Sequence, residues 1–512
     1  MTHRNSTTNL CICSFLFLSL LLISGCTHLS TPSNAHDLPA PRRTPSLPAG
    51  DAISLEEAVI LALENNPDLR IQRFEPPIAG TFLAREQARF SPEIFAEASL
   101  RESRSSETAR ATGEQFDAEV SQTRAQAGIR QSLASGSDVE LSAGQFSESS
   151  NRSPDQEEVR VTLSLTQSLL RGRQREANLV GVRLAELGLE ISAEELRGFT
   201  EALVADVEQA YWHFWLATET IAIAEQALNV SEKQLADIRQ RIEVGQLARN
   251  EDAPARAEVA RRRQVLIDAR ADLFRARLDL MARVSPGISP DQVPTLAASG
   301  PEMPDPETDT TAEDRIQLAL NARPDLREAR MRFAQRSLDT LQARDGLLPR
   351  LDFFADLAKT GFGPTAGDAW SDLTEDNYDA QAGIRFLRPL GGRPEVARES
   401  ETRFREAQAE TALKNLERRI HTEVHLALNE LDRALRQVEA SAETRYLQEL
   451  TVASEVERFE VGAVTALQVA QAQRDLLSAM IDEQAAKVQA RIALLELYKT
   501  EGSLLERRGI GQ

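Results

Sequence analysis

Cysteine is scarce. The chain holds three in 512 residues, and two of them, Cys11 and Cys13, lie in an apolar N-terminal leader. A mature chain keeps only Cys26, so no disulfide staples the fold. Aromatic residues are 5% of the total, too few for one thick core and natural for alanine-rich helices packed in a thin wall. Positive charge is also short: 59 Lys+Arg against 79 Asp+Glu give a formal net charge of −20, which disfavours a nucleic-acid partner. There is no glycine-rich phosphate loop, nucleophile elbow or metalloprotease motif. His421 and His425 stand four apart, a spacing that can bind a metal, but no third ligand is evident and a solvated helix face accounts for them. The expectation is a chain without catalytic residues, cofactor or metal.

Proline is missing from one long stretch, Arg173 to Val244, and its three glycines all lie within its first 26 residues. Leu184, Leu187, Ile191, Leu203, Val207, Ala210, Phe214, Ala217 and Ile221 recur there at three- and four-residue spacing. The pattern predicts one helix of roughly 100 Å at about 1.5 Å per residue. Such a helix is a coiled coil, a strut or the wall of something long. Trp212 and Trp215, in mid-rod, are expected to pack.

The same stretch occurs twice. Arg393 to Phe459 is a second rod, and at an offset of 217 Leu203 falls on Ile420, Val207 on Val424 and Ala210 on Ala427. The register continues into Arg-Ile-Glu-Val-Gly (241–245) and Arg-Phe-Glu-Val-Gly (458–462). Upstream, Pro67-Asp-Leu-Arg70 matches Pro324-Asp-Leu-Arg327, and the capping box at Ser54–Glu57 matches a looser one at Thr311–Asp314. The chain is an internal duplication. It divides into a leader (1–25), a Pro/Ser/Thr-rich tether (26–52), a first repeat (53–284), a linker (285–310), a second repeat (311–500) and a tail (501–512). Second helices are expected to run back from each Val-Gly tip over 250–284 and 466–500.

After Pro92 and Pro349 the period switches to two. Ile94, Ala96, Ala98 and Leu100 alternate with polar neighbours, as do Val159–Leu165, Leu351–Leu357 and Ala382–Phe386. This is the pattern of a membrane β-barrel strand and equally of a soluble half-buried sheet. The polar segments 102–120 and 360–378 read as loops. The first repeat carries 37 residues more than the second between proline and corner glycine, including a hairpin-like pair, Ala125–Leu133 and Val139–Gly144. The pattern leaves open whether that pair joins the other strands or projects from them.

The leader's apolar run, Phe15–Ile23, is too short to span a bilayer. It ends in Ile23-Ser24-Gly25-Cys26, which resembles a bacterial lipoprotein signal. That resemblance implies lipidation at Cys26 and, with Thr27 following, sorting to the outer membrane; an ordinary signal peptide with an incidental cysteine is the alternative.

Strands, long helix, Val-Gly tip and returning helix, all duplicated, resemble the TolC-like outer-membrane efflux family, in its lipoprotein branch. The likeness covers about 54–284 and 311–500. It implies a mainly α fold with a membrane β part, in which the long hairpins of a homotrimer form an α-barrel continuous with an outer-membrane β-barrel. It implies a passive exit duct served by an inner-membrane transporter and a periplasmic adaptor. The adaptor would dock at the tips, on Arg241, Val244, Gly245 and Leu247 and on Arg458, Val461, Gly462 and Val464; the glycines also serve simply to end helices. In better-known members, carboxylates six and nine residues past the tip glycine line the entrance. Here the second repeat has Gln468 and Gln471 at those positions, and the first has Glu251 and Pro254, so Glu251 and Asp252 are the candidates for an acidic rim. A duct so acidic would favour cations, although a solvated helical exterior is acidic too. The competing reading is a periplasmic coiled-coil scaffold without a pore, which has no use for lipid-facing strands.

Overall fold

The computed structural model describes residues 53–108, 113–285 and 310–510. The leader, Cys26, the tether and nearly all of the linker lie outside these residues.

The first repeat opens with α1 (Leu55–Asn65), α2 (Pro67–Gln72) and α3 (Glu75–Ala88). Four strands follow: β1 (Glu93–Thr108), β2 (Gln115–Ser132), β3 (Ser137–Ser150) and β4 (Gln156–Ser168). A single turn, α4 (Arg175–Asn178), leads into the long α5 (Val180–Glu243) and the returning α6 (Asp252–Val284). The second repeat is shorter: α7 (Ala312–Ala322), α8 (Pro324–Gly346), β5 (Arg350–Gly363), α9 (Ala366–Asp372), β6 (Tyr378–Leu387), the long α10 (Arg393–Glu460), α11 (Ala466–Glu501) and α12 (Leu504–Arg507).

Local chemistry sets the boundaries. The Ser54 hydroxyl accepts from Glu57 N while the Glu57 carboxylate accepts from Ser54 N, and Thr311 and Asp314 repeat the exchange at α7. Each box satisfies two otherwise orphaned donors, worth about 1 kcal/mol. Pro76-Pro77 sits at the start of α3 and splits the first repeat's second helix, whereas α8 runs unbroken for 23 residues. At 64 and 68 residues, α5 and α10 are about 100 Å long.

Two expectations change. The first rod does not start at Arg173: the chain bends at Leu179, because the Asn178 side chain is committed to the carbonyls of Ala134 and Gly172 at 2.9 and 2.7 Å. The segments 102–120 and 360–378 are not mainly loops either. Residues 102–108, 115–120 and 360–363 extend β1, β2 and β5, and α9 takes up seven residues of the second segment. In β1 both faces of the extension carry polar residues. In β2 Phe116, Ala118 and Val120 do alternate, but on the face that carries Arg124 and Arg130 further along the strand, so they do not continue the apolar face read below them.

The six strands form one antiparallel sheet in sequence order, β1 to β6. Ile94 faces Ile129, Ile129 faces Leu141, Leu141 faces Leu163, Leu163 faces Leu357 and Leu357 faces Ala380. One apolar row thus crosses the whole sheet. The helices pack through small residues. Leu431, Ala434 and Val438 of α10 meet Ala486, Ala490, Ala493 and Leu497 of α11. Ile316 and Ala319 of α7 and Leu326 of α8 close on Ile420 and Val424 of α10. Each fully buried Leu, Ile or Val here contributes about 1.5–3 kcal/mol, and the alanines let the backbones approach within a thin wall. Trp212 and Trp215 are buried, as their place in mid-rod predicts. His421 and His425 are exposed.

Candidate functional site

Both helical tips end alike. The N–H of Gly245 donates to Ile242 O and that of Gln246 to Arg241 O; Gly462 and Ala463 repeat this on Phe459 O and Arg458 O. This is the Schellman pattern, with the glycine at φ +75° in both copies. No atom lies within 4 Å of where a Cβ would stand on either glycine, so the requirement is conformational rather than spatial.

The turns push Val244 and Val461 outward, 64% and 80% exposed. Leu247 is half-buried and Val464 buried beneath them. The two tips meet: Ile238 and Ala255 of the first repeat pack on Ala466 of the second, flanked by Ile242, Leu247 and Phe459. The Arg241 guanidinium stands 6.0 Å over the Phe459 ring, whereas Arg458 is exposed and pairs with Glu455. Two exposed valines on a shared apolar footing, each beside an arginine, offer a small sticky knob for a protein partner.

The rim candidates are engaged within the chain. Glu251 Oε2 accepts from Ala466 N at 3.4 Å, capping α11 across the repeats. Asp252 pairs with Arg239 at 3.0 Å and Arg256 at 3.6 Å. Gln468 is exposed and closes the capping box with Thr465, and Gln471 is exposed one turn on. Sequence spacing brings all four near the tips, but it does not reveal that Glu251 holds the other repeat's helix.

The second candidate surface is the sheet's apolar face. Ile94 is 76% exposed and Ile384 66%, with Leu100, Ile129, Leu141, Leu163, Leu357 and Phe386 also exposed. From Ile94 to Leu100 the row climbs about 20 Å along β1. The opposite face carries Arg124, Arg130, Glu140, Arg160, Asp352, Asp356 and Arg385. An apolar face this large is not left in water by a stable protein, and its height suits the lipid-facing band of a membrane barrel. No described helix is long and apolar enough to cross a membrane.

A third constellation escaped the sequence. Beside α12, Arg508 forks onto the buried Glu208 at 2.6 and 2.7 Å, Leu504 N donates to Glu201, and Arg197 pairs with Glu506. Glu501, fully buried, binds Arg315 at 2.6 Å. Residues 501–508 are thereby clamped onto α5 and α7. Burial pushes the Glu201 carboxyl up from 4.5 to about 7, against the lowering pull of the Leu504 N–H and Arg197. The sign follows: this group's stability is complete below pH 4.5 and is lost as pH rises through 7, up to about 3 kcal/mol. Glu201→Gln is therefore expected to raise the melting temperature at pH 8 and leave it little changed at pH 5. A melting curve at the two values checks it.

The family model for outer membrane efflux proteins matches residues 59–284 and 315–503. This chain belongs to the outer membrane efflux protein family. The two matched blocks overlap most of the two repeats, the second running three residues past 500. The outer membrane efflux protein BepC of Brucella suis is 25% identical over 324 residues, covering 63% of this chain and 67% of that protein. Two solved structures show the same fold. VceC, an outer membrane protein of Vibrio cholerae, is 17% identical with a TM-score of 0.64 over 88% of this chain and 96% of its own. The MtrE outer membrane channel of Neisseria gonorrhoeae is 17% identical with a TM-score of 0.60 over 88% and 89%. As an outer membrane efflux protein the chain has its place in the outer membrane, and the exposed apolar face is the part suited to meet lipid.

Proposed function

We propose that this outer membrane efflux protein works as a homotrimeric, passive exit duct. The observation that carries the reading is the six-stranded sheet whose apolar face is exposed and whose two outer edges, β1 and β6, are unpaired among the described residues. Open strand edges cannot stand in lipid, so β1 of one copy pairs with β6 of the next until the ring closes. The paired helical hairpins then continue the ring into the periplasm. Cargo is carried from an inner-membrane transporter, which supplies the energy. A periplasmic adaptor docks on the tips at Val244 and Val461, with Arg241, Gly245, Leu247, Arg458, Gly462 and Val464 shaping the knob. Lipidation of Cys26 tethers each chain to the outer membrane.

The test is single-channel conductance of the purified mature protein in a planar bilayer, with its mass measured alongside. Trimeric mass with discrete, cation-preferring openings is expected; a monomer that never conducts would return the chain to the scaffold reading. Glu251 and Asp252 line the entrance in this reading, with part of their charge offset by Arg239 and Arg256. The Glu251→Gln, Asp252→Asn pair is expected to lower cation preference about two- to threefold, as loss of a local field does; unchanged selectivity would remove them from the rim. At the tips, Val461→Asp is expected to cut cross-linking to the adaptor by about tenfold, since one desolvated carboxylate costs roughly 1–3 kcal/mol. Unchanged cross-linking would move the docking surface elsewhere.

A further inference from the structure

The two repeats differ in one respect that bears on what can pass. In the second, β5 follows Pro349 and β6 precedes the corner glycines, so the repeat supplies two strands. In the first, β1 follows Pro92 and β4 precedes Gly172, and these are the matching pair; β2 and β3 are additional and lie between them.

Four observations show that this hairpin is built into the sheet. Its pairing is continuous, β2 with β1 from Glu93 to Thr108 and β3 with β4 from Ser137 to Glu148. Its apolar residues, Ala125, Ala127 and Ile129 on β2 and Val139, Leu141 and Ala143 on β3, stand in register with Ala98, Ala96 and Ile94 of β1 and with Leu165, Leu163 and Val161 of β4. Its other face joins the polar side, where Gln126 donates to Glu97, Arg130 pairs with Glu93 and Gln122 donates to Glu148. Its turn is also seated in the corner where sheet meets helix. Ser168 N donates to Gly136 O and the Asn178 amide to Ala134 O, each at 2.9 Å. A Cβ on Gly136, at φ +77°, would stand 2.1 Å from Gly172 O, so no side chain fits there.

We propose that the β2–β3 hairpin widens the outer-membrane barrel, each chain giving six strands so that a trimer closes as eighteen, and that the exit takes bulky hydrated solutes. The inference rests on the trimeric duct proposed above. Two matched strand pairs per chain would close as twelve. At a strand spacing of about 4.8 Å and a tilt of about 40°, twelve strands give a backbone radius of about 12 Å and eighteen about 18 Å. Side chains of about 5 Å on each wall leave free bores of about 14 and 26 Å, the wider in the range of water-filled porins. The wider bore admits hydrated solutes whose diameter exceeds the smaller one, such as polymeric or polypeptide chains, in addition to small solutes.

The experiment uses the full chain, first confirmed as a trimer by mass. Neutral polyethylene glycols of graded size are added on the extracellular side of single channels, and entry is read as a drop in conductance. Polymers of about 10 Å radius are expected to enter the eighteen-stranded mouth; a cut-off near 6 Å would overturn the wide bore. Three single variants, Leu163→Arg, Leu141→Arg and Ser142→Arg, then locate the hairpin by the yield of folded trimer in outer membranes. Leu163→Arg and Leu141→Arg are expected to lower it alike, about 30-fold or more, and Ser142→Arg to leave it within twofold. If Leu163→Arg is harmful while Leu141→Arg is as mild as Ser142→Arg, the hairpin lies outside the lipid and the proposal fails while the duct stands. If neither leucine variant is harmful, or no trimer is found, the duct reading itself fails.

Discussion

Leu163→Arg is expected to cost about 2–4 kcal/mol of folding free energy in a bilayer, enough to lower the folded population by one to three orders of magnitude. Leu163 lies near the middle of β4, is about half exposed, and faces Leu141 on one side and Leu357 on the other. Its flanking residues on that face, Leu141, Val161, Leu165 and Leu357, are apolar, and the one charge diagonal to it, Lys359, has the same sign, so a guanidinium there has no partner and only lipid for solvent. The neighbouring position supplies the control. Ser164 points to the polar face, between Glu140 of β3 and Asp356 of β5. An arginine at 164 meets two carboxylates in water, and Ser164→Arg is expected to change stability by less than about 0.5 kcal/mol, as for an ordinary surface substitution. Urea unfolding in lipid vesicles measures both. Equal effects at 163 and 164 would mean that the sheet has no lipid-facing side.

Arg508→Ala is expected to destabilise the protein by about 3 kcal/mol, because it strands a buried charge. Glu208 is 1% exposed, and its carboxylate takes both arms of the Arg508 guanidinium. Burial already holds its pKa above the ordinary carboxylate value, with Arg508 pulling the other way. Removing the arginine leaves burial opposed only by the charge of Arg491, so the variant's carboxyl takes up a proton more readily and its deficit shrinks as pH falls. Glu208→Gln in the Arg508→Ala background restores part of the loss, since a neutral amide costs less to bury than a carboxylate. Chemical denaturation of the four chains of this cycle at pH 8 and at pH 5 gives the coupling directly. A cycle with no coupling at either pH would show that α12 is not clamped through Glu208.

Much of this architecture is legible in the chain wherever one local rule decides the outcome. Ser54, Glu57, Thr311 and Asp314 announce helix starts because a capping box is a contact across three residues. Gly245 and Gly462 announce helix ends because the left-handed φ is theirs to supply. Ile94 to Leu100 announces a strand because one face stays apolar for its whole length in lipid. The reading stops where a contact spans the chain. Glu201, Glu208 and Glu501 look like surface carboxylates of long helices, and only the arrival of residues 504–508 and Arg315 makes them interior. The upper parts of β1, β2 and β5 are hidden for another reason: the apolar row ends below them, and the alternation of Phe116, Ala118 and Val120 in β2 falls on the opposite face. The inserted hairpin falls between these cases. Its alternation is visible, but its place in the sheet follows from pairing with β1 and β4, which spacing does not reveal.

The clamp at residues 501–508 also bears on the order of events during folding. Helix α5 is synthesised some 300 residues before the arginine that neutralises Glu208. Until that segment arrives, α5 carries carboxylates it cannot bury at low cost, and its mid-section stays incompletely packed against α12. A chain interrupted before residue 504 would contain every strand and both long hairpins, yet would lack the partners that finish α5. The last described helix therefore acts as a completion check: the wall of the first repeat reaches its final stability only when synthesis has passed Arg508, beyond the second repeat.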